Sequence, residues 1–267
     1  MTPSTLRVSL VQGATRWHDA AANRDYYGGL VRSLRGRSDL VVLPETFLSG
    51  FTNETLGQAE PMDGEGVRWL RGLATEVDAV VTGSLVIREG QTCVNRLIWA
   101  RPDGSCEYYD KRHLFRMAGE HERYADGKKR LIVELNGWRI CPQVCYDLRF
   151  PVWLRNRHDA ETGRFDYDLI LFVANWPAPR RNAWSTLLQA RAIENLSYCI
   201  GVNRVGEDGN GIAYAGDSAV IDFLGKPLVL LGEQEQIVTA SLDASALSAF
   251  RQRFPAWMDA DDFSLGR

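Results

Sequence analysis

The sequence predicts an α/β protein, with a mixed sheet or a pair of sheets covered by helices. Short apolar runs rich in β-branched residues recur along the chain, with segments of helical periodicity between them. Strand–helix–strand spacing dominates early and around residues 140–200. Hairpin spacing appears at 79–110, 131–142 and 218–242.

Taken in order, strands are expected at Leu6–Val11, Leu40–Leu43, Ala79–Val86 and Val94–Ala100. Further strands are expected at Arg139–Val144, Asp168–Ala174, Cys199–Val202, Ser218–Phe223, Pro227–Leu231 and Gln236–Ser241. Helical patterns fall at Ala20–Leu34, Gly66–Glu76, Trp184–Asn195 and Ala244–Arg251. Turn signals stand between them, among them Pro102-Asp103-Gly104, Asn136-Gly137 and Leu224-Gly225-Lys226-Pro227. With no internal repeat and no linker rich in Pro, Gly and Ser, residues 1–267 read as one domain. The tail 254–267 carries Phe254, Trp257 and Phe263 without periodicity, so it is expected to pack on the surface or at a subunit interface.

An apolar fraction of 45% and a charged fraction of 24% are those of a soluble globular protein. A formal charge of −3, with acids and bases interspersed, argues against a nucleic-acid partner, which needs a concentrated basic face. No apolar run approaches bilayer-spanning length, so no membrane partner is expected. Met1 to Ala14 lacks the plan of a signal peptide and reads as the first strand. The five cysteines, Cys93, Cys106, Cys141, Cys145 and Cys199, are odd in number and lie mostly in apolar stretches. They suit a reducing cytoplasm better than a disulfide framework, and no Cys/His spacing suggests zinc.

One cysteine stands apart. In Cys141-Pro142-Gln143-Val144-Cys145-Tyr146-Asp147-Leu148-Arg149-Phe150-Pro151 an apolar strand runs up to Val144, and Pro151 suits the first turn of a helix. Cys145 would sit on the bend, where a helix N-terminus favours the thiolate, the nucleophilic form. Most free cysteines are simply small buried hydrophobes, and the other four keep that reading. A thiol nucleophile needs a base, yet none of His18, His113, His121 and His158 stands in a recognisable cysteine-protease context. A carboxylate sheltered from water can do the same proton work. Glu45 fits, because it follows Leu40-Val41-Val42-Leu43-Pro44 at the C-terminal end of a buried strand, where α/β sheets bind ligands. Lys111, in Tyr108-Tyr109-Asp110-Lys111-Arg112-His113-Leu114-Phe115, ends another strand-like segment and could stabilise an oxyanion. Taken alone, Glu45 reads rather as an acid that begins a surface loop, and Lys111 more so as an ordinary solvated charge.

Together, in this order, the three segments resemble the nitrilase (carbon–nitrogen hydrolase) superfamily, and the resemblance extends over nearly the whole chain. It includes Ala174-Asn175-Trp176-Pro177, Ala190-Arg191-Ala192-Ile193-Glu194-Asn195, Asn203-Arg204-Val205-Gly206 and Gly216-Asp217-Ser218. The resemblance implies a four-layer α-β-β-α sandwich, no cofactor and no metal, and a homodimer or larger homo-oligomer. It assigns Cys145 as nucleophile, Glu45 as general base and acid, and Lys111 as oxyanion stabiliser with the backbone N–H of Tyr146. A second, supporting glutamate is expected after the lysine segment. Glu120, seven residues before Gly127, is preferred to Glu122.

Within the superfamily the chain looks most like the omega-amidase branch, which hydrolyses the terminal amide of substrates such as 2-oxoglutaramate or 2-oxosuccinamate. That small-molecule amide carries a carboxylate, so Arg149 or Arg180 is a candidate to bind it, with Phe150 and Trp176 as pocket walls. Arg149 could equally be a structural ion-pair partner. The alternatives are an N-carbamoyl amino acid hydrolase or aliphatic amidase with the same triad and, from a different class, an inactive binding member of the superfamily.

Overall fold

The computed structural model describes residues 5–261 and 263–265. Met1 to Ser4, Asp262, Gly266 and Arg267 lie outside these residues, and with them parts of the expected first segment and tail. Two six-stranded sheets form the centre of the molecule. The first has the order Gln236–Asp243, Thr5–Gln12, Leu40–Val42, Val80–Glu89, Thr92–Ala100, Cys106–Asp110. In it Thr5–Gln12, Leu40–Val42 and Val80–Glu89 run parallel, and the outer pairs are antiparallel. The second has the order Pro227–Leu230, Ala219–Ile221, Tyr198–Asn203, Leu169–Ala174, Trp138–Val144, Val133–Leu135, with the inner three strands parallel.

Side-chain alternation sorts the layers. Leu40 and Val42 face the second sheet in a core shared with Leu97, Trp99, Ile140 and Leu171. Val41 and Leu43 face the opposite way, onto Tyr27 and Val31 of helix Ala20–Arg32 and Leu70 and Leu73 of helix Glu65–Val77. The central strands of the second sheet, Leu169–Ala174 and Tyr198–Asn203, are buried on both faces and read as continuous apolar runs, as parallel strands do. Helix Arg181–Glu194 covers that sheet through Trp184, Leu188 and Ala192. It approaches closely only because residue 201 is glycine, where a Cβ would meet the Trp184 ring at 2.5 Å. The result is the α-β-β-α sandwich, each large apolar side chain so buried contributing about 1.5–3 kcal/mol. Among the described residues no helix is long and apolar enough to cross a membrane.

In the tail, Trp257 stacks on His158 at 3.7 Å between ring centroids, and the Phe263 ring lies under the Arg157 guanidinium.

Candidate active site

The C-terminal ends of parallel strands from both sheets meet at one place, and each delivers a polar side chain there. Glu45 follows Leu40–Val42, Cys145 follows Trp138–Val144, and Asn175 follows Leu169–Ala174. Lys111 enters from the end of the edge strand Cys106–Asp110, its backbone tied to Asn95 O at 2.9 Å and to Gly127 N–H at 2.9 Å. Gly127 must be glycine, since a Cβ there would stand 2.0 Å from the carbonyl oxygen of Asp110.

Glu45, Lys111 and Glu120 are all buried and in direct contact. Lys111 Nζ donates to Glu45 Oε1 at 3.0 Å and to both oxygens of Glu120 at 2.9 and 3.0 Å. Asn95 Nδ2 donates to Glu45 Oε1 at 2.8 Å and the Asn175 backbone N–H to Glu45 Oε2 at 2.7 Å. Phe115 N–H donates to Glu120 Oε2 at 2.5 Å. Glu122 is exposed and outside this group. Burial works against the Lys111 ammonium, but the carboxylates of Glu120 and Glu45 outweigh it and hold the amine charged. Burial raises the Glu120 carboxyl above its usual range in spite of Lys111 beside it.

Two backbone positions at the site are left-handed without being glycine: Thr46 at φ 41° and Cys145 at φ 45°. Each costs about 1–3 kcal/mol, held by surrounding structure. Thr46 is fixed by its N–H to Ser84 Oγ and by Asn175 Nδ2 on its hydroxyl, both at 2.8 Å. Cys145 opens a 3₁₀ turn, Cys145–Arg149, whose Leu148 carbonyl is gripped by the buried Arg191 of the covering helix at 2.7 and 3.0 Å.

One expectation needs correcting here. The turn does not favour a thiolate: burial, with the Glu45 carboxylate next, pushes the Cys145 thiol well above its ordinary range against the pull of Lys111. A single 3₁₀ turn carries too little aligned dipole to offset that desolvation. The raised thiol favours its neutral form, so as a nucleophile it would need a base.

A cavity of about 580 Å³ opens from Cys145, Glu45 and Lys111 and is walled by Phe51, Phe115, Trp176 and Tyr214. Tyr146, Arg149 and Arg180 also line it. The Arg149 guanidinium lies 4.9 Å over the Trp176 ring, and that of Arg180 5.4 Å over Phe115 and against Met117 Sδ at 3.1 Å. Neither has a carboxylate partner among the described residues, so the alternative of a structural ion pair for Arg149 does not hold within them. Phe150 is the second correction. It lies outside this cavity and stacks on His113 at 3.8 Å, lining a separate depression with Arg112 and His121.

Comparison with known proteins converges on the same reading. Residues 7–252 match the family described as carbon–nitrogen hydrolase. The chain belongs to the carbon–nitrogen hydrolase family. This hydrolase is 48% identical to omega-amidase YafV of Yersinia enterocolitica, over 98% of this chain and 99% of the relative. It is 32% identical to the 2-oxoglutaramate amidase of Bacillus subtilis, over 83% and 85%. Among solved structures, the CN-hydrolase superfamily protein XC1258 of Xanthomonas campestris, which carries an arsenic adduct in its active site, superposes with a TM-score of 0.96. It is 62% identical over 98% of this chain and 99% of that one.

Asn95, Asn175, Phe51, Phe115 and Tyr214 were not identified as site residues from sequence. Asn175 stood in a recognised motif, but nothing local signals that its N–H and side chain bind the Glu45 segment.

Proposed function

We propose that the protein is an omega-amidase, hydrolysing the terminal amide of a 2-oxo dicarboxylate monoamide such as 2-oxoglutaramate to the acid and ammonia. The observation that carries this is a buried Cys145 beside the Glu45–Lys111–Glu120 cluster, at one end of a cavity lined also by Arg149 and Arg180, neither of which has a carboxylate partner among the described residues. The similarity to the two amidases above supports it.

Glu45 takes the thiol proton as sulfur bonds to the amide carbon, forming a tetrahedral oxyanion. Lys111 Nζ and the Tyr146 N–H stabilise that oxyanion, one such donor being worth about 3 kcal/mol of barrier. Glu45 returns the proton to nitrogen, the C–N bond breaks and ammonia leaves a thioester on Cys145. Water then gives a proton to Glu45 and its oxygen to the acyl carbon, the C–S bond breaks, and the thiol recovers its proton. Glu120 holds Lys111 in place. Arg149 and Arg180 offer the substrate carboxylate its partners, and Trp176 forms the wall beneath Arg149.

Ammonia release should be much faster from 2-oxoglutaramate than from N-carbamoyl amino acids or simple aliphatic amides. The reverse order would point to a carbamoylase or aliphatic amidase, and no release from any of them to a binding member. A homo-oligomer in the cytoplasm belongs to the same proposal. The exposed Leu228 and Leu230 on an edge strand of the second sheet supply an apolar surface for association, and five free thiols suit a reducing compartment. A monomeric mass by light scattering would count against the assembly.

A further inference from the structure

Lys111 and Cys145 come from different sheets, so something must hold their separation constant while an acyl group bonds to one and its oxygen to the other. The side chain placed to do this is Asp147, two residues beyond Cys145, which is fully buried. Four donors converge on its two oxygens. Tyr109 O–H and Val144 N–H donate to Oδ2 at 2.9 and 3.1 Å, and His113 N–H donates to Oδ1 at 2.9 Å. His113 Nδ1 is 2.7 Å from Oδ1 and carries the proton in this pair, because a carboxylate only accepts.

Tyr109 and His113 flank Lys111 on either side, and Val144 precedes Cys145. One carboxylate thus grips the chain on both sides of the lysine and at the base of the nucleophile turn. Trp153 reinforces the link by donating from Nε1 to Gln143 Oε1 of the second sheet at 3.0 Å and to Tyr109 O–H of the first at 3.3 Å. His113 is itself braced flat on Phe150, which closes the same turn, with 8° between the rings.

We propose that Asp147, with His113, is a positioning residue that sets the Lys111–Cys145 geometry for amide attack. This rests on the roles given to Lys111 and Cys145 above. A carboxylate that merely stabilised the fold would, once replaced in a protein that still folds, leave turnover of the folded fraction unchanged. A positioning group loses kcat instead, since a misplacement of about 1 Å at the reacting atoms costs on the order of 10²-fold.

The test uses the whole protein and 2-oxoglutaramate, with the folded fraction counted by circular dichroism and gel filtration. Asp147→Asn removes one acceptor oxygen and adds donors against donors. It should lower kcat by about 10²-fold with KM changed less than about threefold. His113→Ala should lower kcat by about 10-fold, and His113→Asn, whose side-chain N–H reaches the place of Nδ1, should recover most of it. Wild-type kcat in folded Asp147→Asn, or a loss confined to KM, would overturn the proposal. If Asp147→Asn does not fold, the His113 pair decides: recovery by Asn supports it, and wild-type turnover in His113→Ala overturns it. A wild-type protein that releases no ammonia would instead defeat the amidase reading on which the proposal rests.

Discussion

Cys141 and Cys145 lie on the same stretch of chain, one inside the strand Trp138–Val144 and one on the turn that ends it, and both are buried. Burial pushes the Cys141 thiol up to about 12, although the Arg130 guanidinium pulls the other way. Burial likewise pushes up the thiol of Cys145. The two cysteines therefore do not differ in being a ready thiolate. They differ in company: Cys141 has a glutamine amide at 3.3 Å, whereas Cys145 has the Glu45 carboxylate acting on its thiol and the Lys111 ammonium beside it. On the proposed mechanism, activation comes from a base and a thiol brought together by strand ends of the two sheets, at the cost of left-handed backbone and buried charge.

Replacing the two thiols should break the pair apart most visibly. Cys145→Ala should lower ammonia release by at least about 10⁴-fold with the fold intact, and Cys141→Ala should keep kcat within about threefold while costing about 1 kcal/mol in a denaturant melt. Comparable turnover in both variants would end the distinction. Next in size is Lys111→Met. It should lower kcat by about 10²–10³-fold and destabilise the fold by about 3–5 kcal/mol, because Glu45 and Glu120 are left buried against each other. An unchanged denaturation midpoint would show that water already compensates those carboxylates.

Smaller effects are expected further from the thiol. Arg149→Gln and Arg180→Gln should each raise KM for 2-oxoglutaramate by about 10-fold, or about 1.4 kcal/mol, and leave KM for an uncharged amide nearly unchanged. Equal effects on both substrates would mean that the arginines shape the wall rather than read the carboxylate. The smallest effect concerns pH. Because the Cys145 thiol is raised, its neutral form is favoured throughout the neutral range and thiolate appears only as pH climbs past the ordinary range. Its alkylation by iodoacetamide should therefore still be accelerating above about pH 9, where a free cysteine of pKa near 8.5 has begun to level off. A plateau below that pH would mean that the thiolate is already formed.

Much of the frame was legible because buried parallel strands leave uninterrupted apolar runs, as in Leu40–Val42 and Leu169–Ala174. The edge strand Cys106–Asp110 was legible only as hairpin spacing and a strand-like segment before Lys111, since most of its residues are partly exposed and break the apolar run. Of the candidate site, Glu45, Lys111, Cys145 and Glu120 were singled out by their motifs, and the structure places all four together. What sequence could not give is contact between distant strands: Asn95 on Glu45 within the first sheet, and, between the sheets, Asn175 on the Glu45 segment and Asp147 on Tyr109. Phe150 was misread because its direction on a 3₁₀ turn is set by stacking on His113, a distant residue. The left-handed backbone at Thr46 and Cys145 carried no glycine to announce it. Nor could pattern alone tell that Cys145 is too deeply buried to rest as a thiolate.

The central claim, amide hydrolysis through a thioester on Cys145, is tested most directly by acid-quenching wild-type protein within its first turnovers of 2-oxoglutaramate and measuring intact and peptide mass. A mass gain of one acyl group, confined to the peptide bearing Cys145 and absent from Cys145→Ala, is the predicted result. An acyl group on another residue, or ammonia released at the wild-type rate by Cys145→Ala, would contradict it.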